Sequence, residues 1–285
     1  MNADIIRPLV VGSAEHKDLL CSFFTESHDP YKPADLKWPV LDEAVIARLK
    51  ALPIWEEAVR TEAETALAVL TMGAAEKDPV LSKAITLQGY EEKRHAEILK
   101  LLTDTYGIPV PAFSPEAPKD PNWAFMRIGY GECFDSFFAF GLFALARDSG
   151  FFPPPLVELF EPIMQEEGRH IIFHVNWVAY NQARLPYAGR PRYVFKRGLA
   201  MWLQAASRLK TALRVKGAAD AKQDNFTMNA HAQFGDISPR EFVELCLREN
   251  ERRLAPYDPR LLRPEFVPGI ARAVLPTLPR RGGLN

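Results

Sequence analysis

The chain has 285 residues, 47% of them hydrophobic and 25% charged, with a net charge of −1. This is the composition of a globular protein with one large domain or a domain plus an extension, long enough to bury a sizeable core. The near-zero charge argues against a dedicated nucleic-acid binder, DNA included. Cys21, Cys133 and Cys246 stand alone, so no zinc ribbon, iron–sulfur motif or disulfide framework is expected. Reduced thiols fit a cytoplasmic protein. The N-terminus does not read as a signal peptide, and no uninterrupted apolar run of about 18 residues offers a spanning helix.

The periodicity predicts an all-α protein. Residues 1–40 read as irregular, with a turn-rich piece at His28-Asp29-Pro30-Tyr31-Lys32-Pro33. A short helix covers 41–50. Pro53 opens a longer helix over 54–76, and Glu62 falls inside its apolar stripe whereas Glu64 falls on a solvated face. Asp78-Pro79 caps a second helix that runs to Tyr106, where Gly107 and Pro109 stop it. Its stripe carries Gln88, Glu92, His95, Leu99 and Leu102. Residues 107–121 hold five prolines; extended at about 3.1 Å per residue, they reach roughly 45 Å. That is enough to cross the bundle and let the second and third helices run parallel.

The third helix is expected over 122–148, with Phe125, Glu132, Ser136, Phe140 and Phe143 on one face. Ser149-Gly150 ends it. A fourth follows over 155–184, with Glu167, His170 and His174 on its stripe and a kink at Pro162. A basic amphipathic fifth helix spans 193–217, residues 218–237 read as loop, and Ser238-Pro239-Arg240-Glu241 begins a last helix with a capping box. The tail from Ala255 is rich in Pro. The domain reading is an N-terminal extension (1–53), a four-helix bundle (54–184), C-terminal helices (185–254) and a Pro-rich tail (255–285).

One string occurs twice. Glu91-Glu92-Lys93-Arg94-His95 is echoed 75 residues later by Glu166-Glu167-Gly168-Arg169-His170. Each contains a Glu-x-x-His pair, whose carboxylate and imidazole point the same way on a helix. In an antiparallel hairpin, residues equidistant from the turn lie at one depth. The midpoint of Glu62 and Glu92 is position 77, beside the Asp78-Pro79 turn; that of Glu132 and Glu167 falls between Ser149 and Gly150. Four carboxylates and two imidazoles thus converge in an apolar bundle, where bare anions would be too costly without cations. A Glu-x-x-His pair on each of two helices and one Glu from each of two others is how a four-helix bundle holds two metal ions. Iron or manganese suits such ligands, as an Fe/Fe, Fe/Mn or Mn/Mn pair, and zinc is not ruled out by ligand type.

On these residues, 54–184 resembles the ferritin-like di-iron carboxylate superfamily, and the repeated string is most similar to its monooxygenase and ribonucleotide reductase small-subunit branches. The resemblance implies a ferritin-like four-helix bundle with a long crossover between helices two and three, plus additional C-terminal helices. It implies that Glu62, Glu92 and His95 bind one metal and Glu132, Glu167 and His170 the other, with Glu92 and Glu167 bridging. Glu91 and Glu166 match the acids that fix the ligand imidazoles, paired with Arg94 and Arg169. Leu99 stands where the reductases carry a radical Tyr, which argues against that function. Ser136 stands where some monooxygenases place a Thr, and is the candidate catalytic residue. His174 is read as a buried neighbour of the site, not a ligand.

The function expected is a di-iron oxidase or oxygenase that uses O2 on a hydrophobic small molecule. The alternatives are a non-enzymatic iron-handling protein and an RNA-modifying hydroxylase. The acid-free segment 168–219 suits an acidic electron donor, an acyl carrier protein or a peripheral membrane surface, and a homodimer is compatible with the reading.

Overall fold

The computed structural model describes residues 8–52, 54–215 and 237–279, apart from the side chains of 209 and 211–215, and among these no strand occurs. The helices are α1 (Ala14–Glu26), α2 (Glu43–Ala51), α3 (Trp55–Ala75), α4 (Pro79–Thr105), α5 (Pro121–Ser149), the single turn α6 (Pro154–Val157), α7 (Glu161–Arg184), α8 (Arg190–Val215), α9 (Pro239–Leu254) and α10 (Phe266–Val274).

Local chemistry sets the ends. Asp78 accepts hydrogen bonds from the Val80 and Leu81 amides with Pro79 behind it, and Asp120 accepts from Trp123 N before Pro121. Such caps contribute about 1 kcal/mol each. Gly150 closes α5 in the left-handed region at φ 66°, which a side chain disfavours. Ser238 and Glu241 form the full capping box of α9.

Core helices α3, α4, α5 and α7 sandwich a polar layer between two apolar ones. On one side lie Val69 and Met72 of α3, Ile85 of α4, Phe125 of α5 and Trp177 of α7. On the other lie Trp55, Leu102, Phe143 and the α6 residues Leu156 and Val157. Numbers rise toward this second layer on α4 and α5 and fall on α3 and α7, so α4 and α5 run parallel and the Pro-rich 106–120 connection crosses between them. Close approach is built into α5. A Cβ on Gly129 would lie 1.9 Å from His174 Nδ1, and one on Gly141 would lie 2.3 Å from Cys246 Sγ of α9. Gly129→Ala is therefore expected to destabilise by about 1–3 kcal/mol through overpacking. Adding His174→Ala should recover much of that loss, measured by urea denaturation; equal loss in the single and double variants would count against the niche.

Several expectations need correction. The segment 1–40 is not irregular throughout. Ser13 caps α1, whose Leu20, Cys21 and Phe24 bury against α4 and α7. The fourth helix is broken, not merely kinked: α6 passes through a 3-10 turn (Glu158–Phe160) before α7 starts at Glu161, with Pro162 in its first turn. The Pro-rich tail contains α10, packed through Val267 and Ala271 against Phe134 and Phe242. The loop expected over 218–237 lies, but for its last residue, outside the described residues. By length and composition alone α5 could cross a membrane, yet most of that stretch is buried among the other helices.

Candidate metal centre

The polar layer brings together all six residues singled out by spacing. Ligand-type atoms of Glu62, Glu92, His95 and Glu167 lie within 4.8 Å of one another, and so do those of Glu92, Glu132 and His170. Glu92 belongs to both groups. Glu167 stands with the first, its Oε1 3.4 Å from His95 Nδ1; the resemblance implies a Glu167 that bridges to this position from the Glu132 and His170 side. Glu64, by contrast, is half exposed near Arg60. Glu92, His95 and His170 are at most 1% exposed. The remaining exposure of Glu62 faces the two cavities it lines.

The two motif copies support each other crosswise. His95 Nε2 is 2.8 Å from Glu166 Oε2, and His170 Nε2 is 2.9 Å from Glu91 Oε2. Arg94 pairs with Glu166, and Arg169 donates to Glu91 at 2.8 Å. Each helix thus supplies the acid and its partner supplies the imidazole and guanidinium. With Nε2 tied outward, both Nδ1 atoms face the cluster and neither has a hydrogen-bond partner. Glu92 Oε1 is only 2.8 Å from His170 Nδ1 but off the line a hydrogen bond needs. Glu132 Oε1 is likewise buried and unpartnered. An imidazole whose outer nitrogen holds a carboxylate while the inner lone pair points at acids is the arrangement of a metal-binding histidine. This buried Glu/His group has the donors to hold a metal ion.

Without a cation, protons balance the anions. Burial would keep His95 neutral, but the hydrogen bond to Glu166 and the carboxylates of Glu167, Glu62 and Glu92 around Nδ1 outweigh it and raise its pKa well above the ordinary value. His170 rises similarly against burial, through the charge of Glu92 and the hydrogen bond to Glu91. Burial raises Glu132 well above the carboxylate range and Glu62 to about 7. Glu91 and Glu92 go the other way. Burial opposes their ionisation, yet His170 and Arg169 hold Glu91 down at about 2, and His170 and His95 hold Glu92 lower still.

A pH dependence follows. Groups raised on folding stabilise the metal-free fold at low pH. The share of Glu62 is complete below 4.5 and is lost as pH rises through about 7. The share of Glu91 is present above 4.5 and is lost only as pH falls through about 2. The urea midpoint of metal-free protein is expected to fall between about pH 6 and pH 8, and divalent metal, which displaces those protons, should reverse the fall. A flat profile in metal-free protein would contradict the protonated cluster.

Other residues shape the layer. Ser136 Oγ donates to Glu167 Oε2 at 3.0 Å, so its hydroxyl orients that carboxylate. His174 lies in neither group. It packs edge-on to Phe125 and Tyr130, neither ring nitrogen has a partner, and burial depresses its pKa to about 3. Gln88 Nε2, not assigned a role from the sequence, reaches Glu132 Oε2 at 3.3 Å and Glu92 Oε1 at 3.5 Å; it sits one turn before Glu92 on the same stripe. The N-terminal segment also contributes. His28 Nδ1 is 2.5 Å from Glu91 Oε1, and Tyr31 Oη donates weakly to Glu166 at 3.4 Å, beneath the Arg94 guanidinium. No sequence spacing pointed to either.

Two cavities meet at the layer. One, of about 230 Å³, is walled by apolar side chains and reaches Glu62 and His95. The other is polar and lies among Glu57, Thr61, Asp135, Ser136 and Arg208. Of the α5 phenylalanines, only Phe143 lines the apolar cavity; Phe125, Phe137 and Phe140 are core. The basic segment is partly consumed internally. Arg169 is buried on Glu91, Arg208 pairs with Asp135, and Arg190 donates to backbone carbonyls of Ala183 and Leu185.

Comparison with known proteins returns no matching family model, no matching curated protein and no matching solved structure.

Proposed function

We propose that the chain is a ferritin-like di-metal carboxylate enzyme, with two iron ions (or an Fe/Mn or Mn/Mn pair), that uses O2 to oxidise or hydroxylate a hydrophobic small molecule. The observation that carries this reading is the pair of overlapping ligand groups sharing Glu92, each with a buried imidazole turned inward by an acid from the other motif copy. Glu62, Glu92, His95 and Glu167 would hold one ion, and Glu92, Glu132 and His170 the other. The metal pair, when bound, supplies the redox chemistry that reduces O2 and oxidises the substrate.

The chain's own residues do the rest. Glu91 and Glu166 keep the proton of His170 and His95 on Nε2, which frees Nδ1 as a ligand. Ser136 holds the orientation of Glu167. The apolar wall excludes water and accepts the substrate beside Glu62 and His95. That wall favours catalysis over non-enzymatic iron handling, which has no need of it. The burial of Arg169 and Arg208 on internal acids leaves less of the basic segment for RNA or for an acidic donor.

The test is anaerobic Fe(II) loading followed by addition of air and a chemical reductant. About two ions per chain and sustained O2 uptake are expected. Metal bound with no reductant-driven uptake would favour iron handling, and no metal would sink both readings.

A further inference from the structure

We infer that the apolar cavity binds one uncharged apolar molecule about 10 Å long, lying lengthwise along the bundle with one end at Glu62 and His95. The oxidation of that end rests on the proposed metal chemistry; the shape of the site does not.

The first argument is chemical. Glu62 and His95, at one end, are the only ionisable side chains among the lining residues. The one other hydrogen-bonding side chain is Trp55, whose Nε1–H is committed to Leu49 O at 2.7 Å. The rest of the wall is aliphatic, aromatic or Met. A charged or hydroxylated group placed along it would lose its water and find no partner. Phosphates, sugars and ammonium groups are therefore excluded from everywhere except the metal end, where the carboxylates also repel free anions until metal is bound.

The second argument is length. Three helices line the cavity over matching spans: Trp55 to Glu62 on α3, His95 to Leu102 on α4, and Ala139 to Ala146 on α5. Each span is two turns, about 10.5 Å at 1.5 Å per residue. Toward the far end the cavity is lined by Phe152, Leu156 and Val157, from the segment that precedes α7.

The third is volume. An engineered apolar cavity of about 150 Å³ holds one benzene ring. Here about 230 Å³ is open, enough for one molecule of that order and not for two. The alanines Ala58 and Ala139, shared with the polar cavity, mark the point where the end of the bound molecule meets the cluster.

The experiment is calorimetric titration of the metal-loaded full chain with normal alkanols from 1-butanol to 1-dodecanol, beside 1,8-octanediol. Metal content is assayed on the same samples. Affinity is expected to rise about fourfold per methylene and to stop rising near 1-octanol. 1,8-Octanediol, whose second hydroxyl would lie against the apolar far wall, should bind at least about tenfold more weakly than 1-octanol. Ala146→Phe, at the far end, should move the break to shorter chains while leaving 1-butanol unchanged. No dependence on chain length, a break that Ala146→Phe does not move, or equal binding of 1,8-octanediol would overturn the inference. If alkanols fail while metal is retained, the apolar site falls and the di-metal reading stands. If the alkanol series holds but no metal binds, the apolar site stands and the oxidative reading falls.

Discussion

Glu92→Ala is expected to empty both metal positions, whereas Glu62→Ala and Glu132→Ala should each weaken one. Glu92 is the residue common to both ligand groups, with Oε1 2.8 Å from His170 Nδ1 and Oε2 3.6 Å from His95 Nδ1. Its removal leaves the first group with Glu62, His95 and Glu167 and the second with only Glu132 and His170. Two ligands do not make a competent site for iron, and the first position loses the carboxylate that would share charge across the pair. Elemental analysis after anaerobic iron loading reads the result directly. About two ions in the parent, about one in Glu62→Ala or Glu132→Ala and close to none in Glu92→Ala are expected. Equal metal content in Glu92→Ala and Glu62→Ala would show that Glu92 does not bridge. Calorimetry on metal-free samples separates this from a folding defect, since Glu92→Ala should retain a cooperative transition.

The second large effect is expected at Glu91. Its carboxylate accepts from Arg169 Nη1 at 2.8 Å, contacts His170 Nε2 at 2.9 Å and meets His28 at 2.5 Å, all with no exposure of its own. Glu91→Gln keeps the shape but removes the charge. Arg169, itself 2% exposed, keeps only the neutral acceptors Phe24 O and Ser27 Oγ. Leaving a buried cation without its counter-charge costs about 3–5 kcal/mol. The same change frees His170 to turn, which should cost about 10–100-fold in metal affinity. Glu91→Gln with Arg169→Met should recover part of the stability, because the orphaned charge is gone, but none of the metal affinity. Urea denaturation and metal titration together decide the matter. Stability within about 1 kcal/mol of the parent in the single variant would mean that the crossed pairs are not a working unit.

His95 and His170 show how the sequence and the fold divide the work. Their spacing from Glu92 and Glu167, and the midpoints at Asp78 and Gly150, already placed them at one depth, because an α-helix rises by a constant amount per residue and short turns force antiparallel pairing. The helix ends at Asp78, Gly150 and Ser238 were legible for the same local reason: each is set by a cap whose chemistry lies within four residues. The helicity of α1 was not, since a thirteen-residue segment is marginal alone and gains its order from burying Leu20 and Phe24 on α4 and α7.

What the repeat could not reveal is that its two copies serve each other. Glu91 lies beside Arg94 and His95 in the chain, yet it bonds Arg169 and His170, because on a helix the side chain next to a core residue points toward the neighbouring helix and not along its own. The site's contacts with His28 and Tyr31 depend on where an extended segment is laid across the bundle. The apolar cavity depends on how Leu156 and Val157 of α6 pack against α3, α4 and α5. Sequence by itself determined which residues share a depth, since that follows from helical rise. Only the tertiary structure decided their partners and the space beside them, since those follow from packing between segments far apart in the chain.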